Sequence, residues 1–275
     1  MALAEHPTAA RPAGSLTLRE GVRRQLPYWA TVYRRTWRGT VISSFGGPLF
    51  YVVAMGVLLG GFVSADPARL EGADSYLAFV VPGLLAAHAM QTAVGEVTYP
   101  LMGMMKWQRI HQSMLATPLT PTHLVLAHLT FVALRLATSC GVFVLALAPF
   151  GVFATWWGAV LALLAQILVG MTFATLVYAF TTRLHNDAGF GLLYRLGVFP
   201  LFLFSGAFFP VSNLGGIGSA IARVTPLWQG VNLSRMLALD HITWWVAGVN
   251  VAVLLALAAL GLRWSITGLT RRLIA

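Results

Sequence analysis

Three ionisable side chains stand inside long apolar stretches of this chain, and any chemistry it performs starts from them. Glu96 lies toward one end of an apolar segment, Arg135 near the middle of the next, and Arg195 within a later one. A charge at the centre of a membrane helix costs about 2.5–3.5 kcal/mol on insertion scales, so each needs a partner or water. The residue types admit two uses. The three line a polar path that meets an anionic or glycosylated headgroup, or Glu96 and Arg135 pair to fix helix packing while Arg195 snorkels to the inner surface.

Covalent chemistry finds little support. His185 and Asp187 in "RLHNDAG" neighbour one another with no nucleophile tied to them, and read as turn residues. Cys140 is the single cysteine, inside an apolar run, and can close no intrachain disulfide. His123 and His128 share a segment without a ligand cluster and are expected to be packing residues. No metal or cofactor is expected in the chain. The G-x-x-x-x-G-K-[ST] phosphate loop is absent, so the chain is not expected to hydrolyse ATP by itself.

The elements that position these residues follow from composition. Charged residues make up 9% of the chain, against roughly 25% in an ordinary soluble domain, and mean hydropathy is +0.77. Such a chain cannot supply a charged exterior and belongs in a membrane. Apolar segments of about 20 residues, enough to span, fall at 41–63, 76–98, 122–148, 156–182, 188–208 and 242–262. The expected fold is therefore all-α and integral to the membrane, with six transmembrane helices.

The net charge of +10 is mostly arginine, and its placement excludes nucleic acid as the partner. Arg11, Arg19, Arg23, Arg24, Arg34, Arg35 and Arg38 precede the first span, and Lys106, Arg109, Arg183, Arg263, Arg271 and Arg272 follow alternate spans. The opposite loops hold only Arg69, Arg223 and Arg235, and one of those loops is acidic, with Asp66, Glu71 and Asp74. Basic loops stay inside, which predicts that both termini are cytoplasmic.

Three segments outside the spans carry pattern. Residues 1–15 are Ala/Pro-rich and read as a disordered cytoplasmic tail. Across residues 16–40, Val22, Leu26, Trp29, Tyr33 and Trp37 recur at spacings of three and four, opposite most of the arginines, which predicts an amphipathic interface helix against anionic headgroups. Pro27 is expected to divide or bend it. Residues 41–275 then form the membrane domain.

Between spans two and three, "MKWQRIHQSMLATPLTPTH" predicts a short cytoplasmic helix. Ile110, Met114 and Leu115 make its narrow apolar stripe, with Lys106, Arg109 and Gln112 on other faces. Thr120 reads as the cap of span three, with Pro121 at its first position. Such a helix, clipped to two spans, would transmit a push that a flexible loop would absorb. Between spans five and six, residues 209–241 are broken by Pro210, Gly215, Gly216, Gly218 and Pro226. Two short re-entrant helices on the outer side, shielded by neighbouring protein, are expected there.

"MLATPLTP" after Glu96, Arg135, and "FLFSGAFFPVSNL" together resemble the type-2 permease family of ATP-binding-cassette (ABC) transporters, nearest the nodulation lipo-oligosaccharide and daunorubicin-resistance exporters. The resemblance runs from about residue 30 to the end. One departure is Gly215-Gly216, where such permeases usually carry a proline.

The resemblance implies an export permease of the bacterial plasma membrane. It would pair with a second copy and with two copies of a cytoplasmic ATPase, on which ATP and magnesium bind. Its cargo would be an amphipathic drug, lipid or glycolipid. Lys106, Arg109, Ile110, Met114 and Leu115, with Val22, Leu26, Trp29 and Tyr33, would touch the ATPase. Gly56 and Gly60 form a small-xxx-small pair and, with Phe204, Phe208 and Phe209, would stand near the seam between permeases. An ion-driven secondary transporter is the alternative, disfavoured because Glu96 is the only carboxylate near a span.

Overall fold

The computed structural model describes residues 16–52, 72–73 and 75–274. The tail 1–15, Gly56, Gly60, Arg69 and the acidic residues Asp66, Glu71 and Asp74 lie outside the described residues. All regular elements described are helical. They are α1 (Leu18–Val52), α2 (Tyr76–Val97), α3 (Tyr99–Met102), α4 (Ile110–Leu115), α5 (Pro121–Leu147), α6 (Trp156–Arg183), α7 (Ala188–Leu192), α8 (Phe199–Phe204), α9 (Gly215–Val224), α10 (Pro226–Ala238) and α11 (Trp244–Leu273).

Four helical runs among these residues are long and apolar enough to cross a membrane: Tyr76–Trp107, Pro121–Phe150, Trp156–Arg183 and Trp244–Leu273. The segment read as span five forms a shorter apolar run, Ala188–Phe204, in which a π turn joins α7 to α8. The segment read as span one is described only as far as Val52, within α1. α1 crosses residue 40 without a break, and Pro27 sits inside it, so an interface helix and a span do not separate there.

α2 is apolar along most of its surface and buried on most of its faces, as a central rod must be. α6 packs against α2, α5, α10 and α11, while α1 lies along α5. The main core gathers Met90, Leu101, Leu124, Leu136, Tyr178 and Leu254. Because lipid offers no hydrophobic drive between helices, close packing and polar bonds must hold the rods together. α6 and α11 show both. Gly261 and Gly268 let α11 approach Thr175 and Thr182 of α6. Ser265 Oγ donates to Thr175 O at 2.8 Å, and Thr172 Oγ1 donates to Leu254 O at 3.1 Å. On another face of α6, Thr181 Oγ1 donates to Val97 O of α2 at 2.8 Å.

Local signals account for the ends. Thr120 and His123 cap α5 reciprocally, with Thr120 N donating to His123 Nδ1 at 3.0 Å and Pro121 opening the helix, as the residue types predict. Ser75 caps α2 and Thr155 caps α6. Trp156, Trp244 and Trp245 stand exposed at the starts of α6 and α11, the position of an interfacial aromatic belt.

Residues 209–241 form two short helices, α9 and α10, and α10 is packed among α2, α6 and α11. Gly215 opens α9 at φ +73, a backbone that proline's fixed negative φ forbids. Arg235 on α10 is not an outer-loop charge. It is 6% exposed, lies 3.9 Å over the Phe79 ring of α2, and donates to Phe79 O at 3.3 Å and Gly206 O at 2.8 Å. Counting it with the outer loops missed that α10 folds inward and carries it along.

Candidate functional site

Polar residues on three helices converge on one cleft. On α1, Thr36, Thr40, Ser43 and Ser44 recur at helical spacing; on α2, His88, Gln91, Thr92 and Glu96 do the same; Arg135 and Ser139 stand one turn apart on α5. Together they line a cavity of about 430 Å³. Arg135 Nη2 lies 3.0 Å from Glu96 Oε1, with the two side chains 15% and 16% exposed. Arg135 Nη1 donates to Thr36 Oγ1 at 2.8 Å, and the guanidinium sits 5.7 Å from the Phe131 ring.

The remaining polar groups extend the cleft along the rods. Ser139 Oγ is hydrogen-bonded to His88 Nε2 at 2.7 Å and to Ser44 Oγ at 2.6 Å. Among the described residues no carboxylate stands behind His88, so there the pair lacks the third group that orients a catalytic base. The chemistry available is recognition. An internally neutralised ion pair, hydroxyls, an imidazole and an amide offer donors and acceptors to a polar group without a net charge of their own.

The structure thus joins Glu96 and Arg135 and leaves Arg195 apart. Arg195 is exposed on the π turn Leu193–Val198 and does not line the cleft. The hydroxyls of α1 and the pair His88 and Ser139 were missed. Their signal was legible in principle, as polar side chains at three- and four-residue spacing within an apolar helix.

The segment between α2 and α5 is not one helix. α3 widens into a π turn, Gly103–Trp107, which holds Lys106; Arg109 then adopts φ 52, and α4 begins at Ile110. The left-handed residue redirects the chain, so Lys106 and Arg109 stand outside the short helix they were expected to share. Lys106 Nζ donates to His185 O at 3.0 Å, tying this turn to the α6–α7 loop. Arg109, Gln112 and Ser113 face outward, whereas Ile110, Met114 and Leu115 are half-buried against the chain's own core.

His111 is fully inward. Burial pushes its pKa down from 6.5 to about 4. A histidine depressed in the folded state contributes stability above its unfolded pKa and loses it as protons are forced on. Thermal stability of the purified protein is therefore expected to fall as pH drops from 6.5 toward 4, and His111→Phe is expected to flatten that decline.

On α1 the buried face is Gly21, Gln25, Trp29, Thr40 and Ser44. Val22 and Tyr33 are half-buried, but Leu26 is 42% exposed, and Arg23, Arg24, Arg34, Arg35 and Arg38 all face outward. Trp29 stacks on His128 of α5 with ring centroids 4.6 Å apart, and Gln25 Nε2 donates to His123 O at 3.1 Å. The helix face turned toward its own chain therefore runs through Gln25 where Leu26 was expected. Of the aromatic residues read near a permease seam, Phe204 is 50% exposed, while Phe208 and Phe209 are half-buried; Phe208 packs edge-on to Phe202 and its carbonyl accepts from Tyr76.

Comparison with known proteins gives this arrangement a context. The family described as ABC-2 type transporter matches residues 28–239. Nodulation protein J of Rhizobium leguminosarum bv. trifolii is 31% identical over 240 residues, covering 84% of this chain and 85% of that relative. Nodulation protein J of Sinorhizobium fredii is 30% identical over 250 residues, covering 90% and 94%. The inner membrane transport permease YadH of Escherichia coli K12 is 24% identical over 204 residues, covering 73% and 72%. No solved structure matches the chain.

Proposed function

Since this chain belongs to the ABC-2 type transporter family, whose members are the membrane-spanning subunits of ABC transporters, we propose that it exports an amphipathic drug, lipid or glycolipid when driven by a separate ATPase. It is a multi-pass inner-membrane protein. In this reading α1 and the α7–α8 run complete six spans, α9 and α10 re-enter from the outer side, and both termini are cytoplasmic. Two copies pair, and each engages one ATPase that holds ATP and magnesium.

One observation carries the reading. The rod that lines the cleft with His88, Gln91 and Glu96 leads, past a bend at Thr98, through α3 to Trp107 at the exposed turn, and α5, which carries Arg135 and Ser139, starts six residues after α4. Motion applied at Arg109, Gln112 and Ser113 therefore has a short path along the chain to both walls of the cleft. Ile110, Met114 and Leu115 brace the turn from within, and Lys106 joins it to the next loop. The cleft receives the cargo's polar part, and its apolar part stays in lipid.

The test uses the backbone at Arg109. A positive φ suits glycine, so Arg109→Gly removes the charge without straining the fold. In the assembled complex we expect wild-type membrane levels, with export and cargo-stimulated ATP turnover down about tenfold, the value of one lost charge-assisted bond. Unchanged coupling would remove Arg109 from the ATPase contact. Export at full rate with no ATPase present would remove the whole reading.

A further inference from the structure

At the far ends of α6 and α11 a second cavity of about 630 Å³ opens, lined by Thr182, Arg183, His185, Thr267, Arg271 and Arg272 among others. Among the described residues no carboxylate lines it and none pairs with any of the three arginines; Asp187 is exposed on the loop beyond His185. Three guanidinium groups lining one cavity at the end of two membrane rods repel one another, and no counterion stands beside them among the described residues.

Arg272 has a structural task. Its Nη1 donates to Thr181 O at 3.2 Å, Thr182 O at 3.2 Å and Leu184 O at 2.5 Å. The carbonyl end of a helix carries partial negative charge and repels anions; here Arg272 covers it. Arg183, Arg271 and the imidazole of His185 are left to face the cavity.

The surroundings set the depth. Arg183 lies 5.7 Å from the ring of Trp264, which is 41% exposed. Leu260, Trp264, Thr267 and Arg271 follow one another on a single face of α11, with Leu260 40% exposed. A strip of apolar surface thus leads from the basic cavity down the rod toward the middle of the membrane. A soluble anion would use the arginines and ignore the strip, but a lipid would use both.

We propose that this cavity binds the phosphate headgroup of an anionic phospholipid, with Arg183 and Arg271 on the phosphate oxygens and an acyl chain along Trp264 and Leu260. Basic pockets between helix ends at the headgroup level are suited to such lipids. The bound lipid bridges α6 and α11 outside their small-residue seam and supplies the missing counter-charge. This site is separate from the cleft on α1, α2 and α5 and does not depend on the identity of the cargo.

The test uses the full-length permease in nanodiscs of phosphatidylcholine with and without phosphatidylglycerol, reading bound lipid by native mass spectrometry and stability by thermal unfolding. Wild type is expected to retain phosphatidylglycerol over phosphatidylcholine and to unfold at higher temperature with it. Arg183→Gln with Arg271→Gln is expected to weaken that preference about tenfold, while Arg223→Gln, an exposed arginine at the end of α9, leaves it unchanged. Undiminished preference in the double variant overturns the proposal. So does equal stabilisation of wild type by inorganic phosphate in phosphatidylcholine discs, which would make the cavity a soluble-anion site.

Discussion

Arg135→Ala is expected to lower the unfolding temperature of the permease by several degrees, and Glu96→Gln in the same chain is expected to bring it back. Removing one partner of a buried ion pair leaves the other charge without compensation, at a cost of about 3–5 kcal/mol. Glu96 keeps 16% of its side-chain exposure, so the loss should fall at the lower end of that range. The neutral pair Glu96→Gln/Arg135→Gln keeps hydrogen-bonding capacity and drops both charges, which makes it the informative variant. Folded yield and unfolding temperature by fluorescence-detected size exclusion check the first half. Export by the double variant checks the second: recovered stability without recovered export places the pair on the cargo's path, and recovery of both makes it a packing device.

Gly261→Val should be as damaging for a different reason. A Cβ at Gly261 would lie 2.6 Å from Thr175 Oγ1, 2.8 Å from Leu176 N and 2.9 Å from Thr175 C. Two of these are backbone atoms of a helix and cannot turn aside. Forcing volume into a tight contact costs about 1–3 kcal/mol, occasionally more, and here it also pulls Ser265 Oγ from its bond to Thr175 O. A control sits on the same helix. Gly248 is exposed with nothing within 4 Å of the Cβ position, so Gly248→Ala should be neutral or slightly stabilising through helix propensity. Equal unfolding temperatures for the two variants would show that the α6–α11 seam is not tight.

These two sites show what could be read without coordinates. The all-helical class and the four long spans followed from runs of apolar residues, and the start of α5 followed from Thr120 and Pro121, because those signals are local. Glu96 and Arg135 stood out because charge is rare in apolar helices, yet only packing put their atoms 3.0 Å apart. The seam of Gly261, Ser265 and Gly268 escaped notice although its spacing is as regular as that of Gly56 and Gly60. Small residues are frequent in such helices, and nothing in one chain says which face meets a neighbour. Arg235 was misread because its burial depends on where α10 folds, a tertiary fact. Arg109 broke the expected helix through a single backbone angle that arginine's side chain does not announce.

The lengths of α6 and α11 have a mechanical consequence. At 28 and 30 residues they measure about 42–45 Å, the full thickness of a bilayer with its headgroups. Fastened side by side, they lean as one plank. In a membrane built from shorter acyl chains the plank must lean further, and α2, bonded to α6 through Thr181, is carried with it. Bilayer thickness then acts as a dial on how wide the neighbouring cleft stands, and the same permease should work at different speeds in thin and thick membranes.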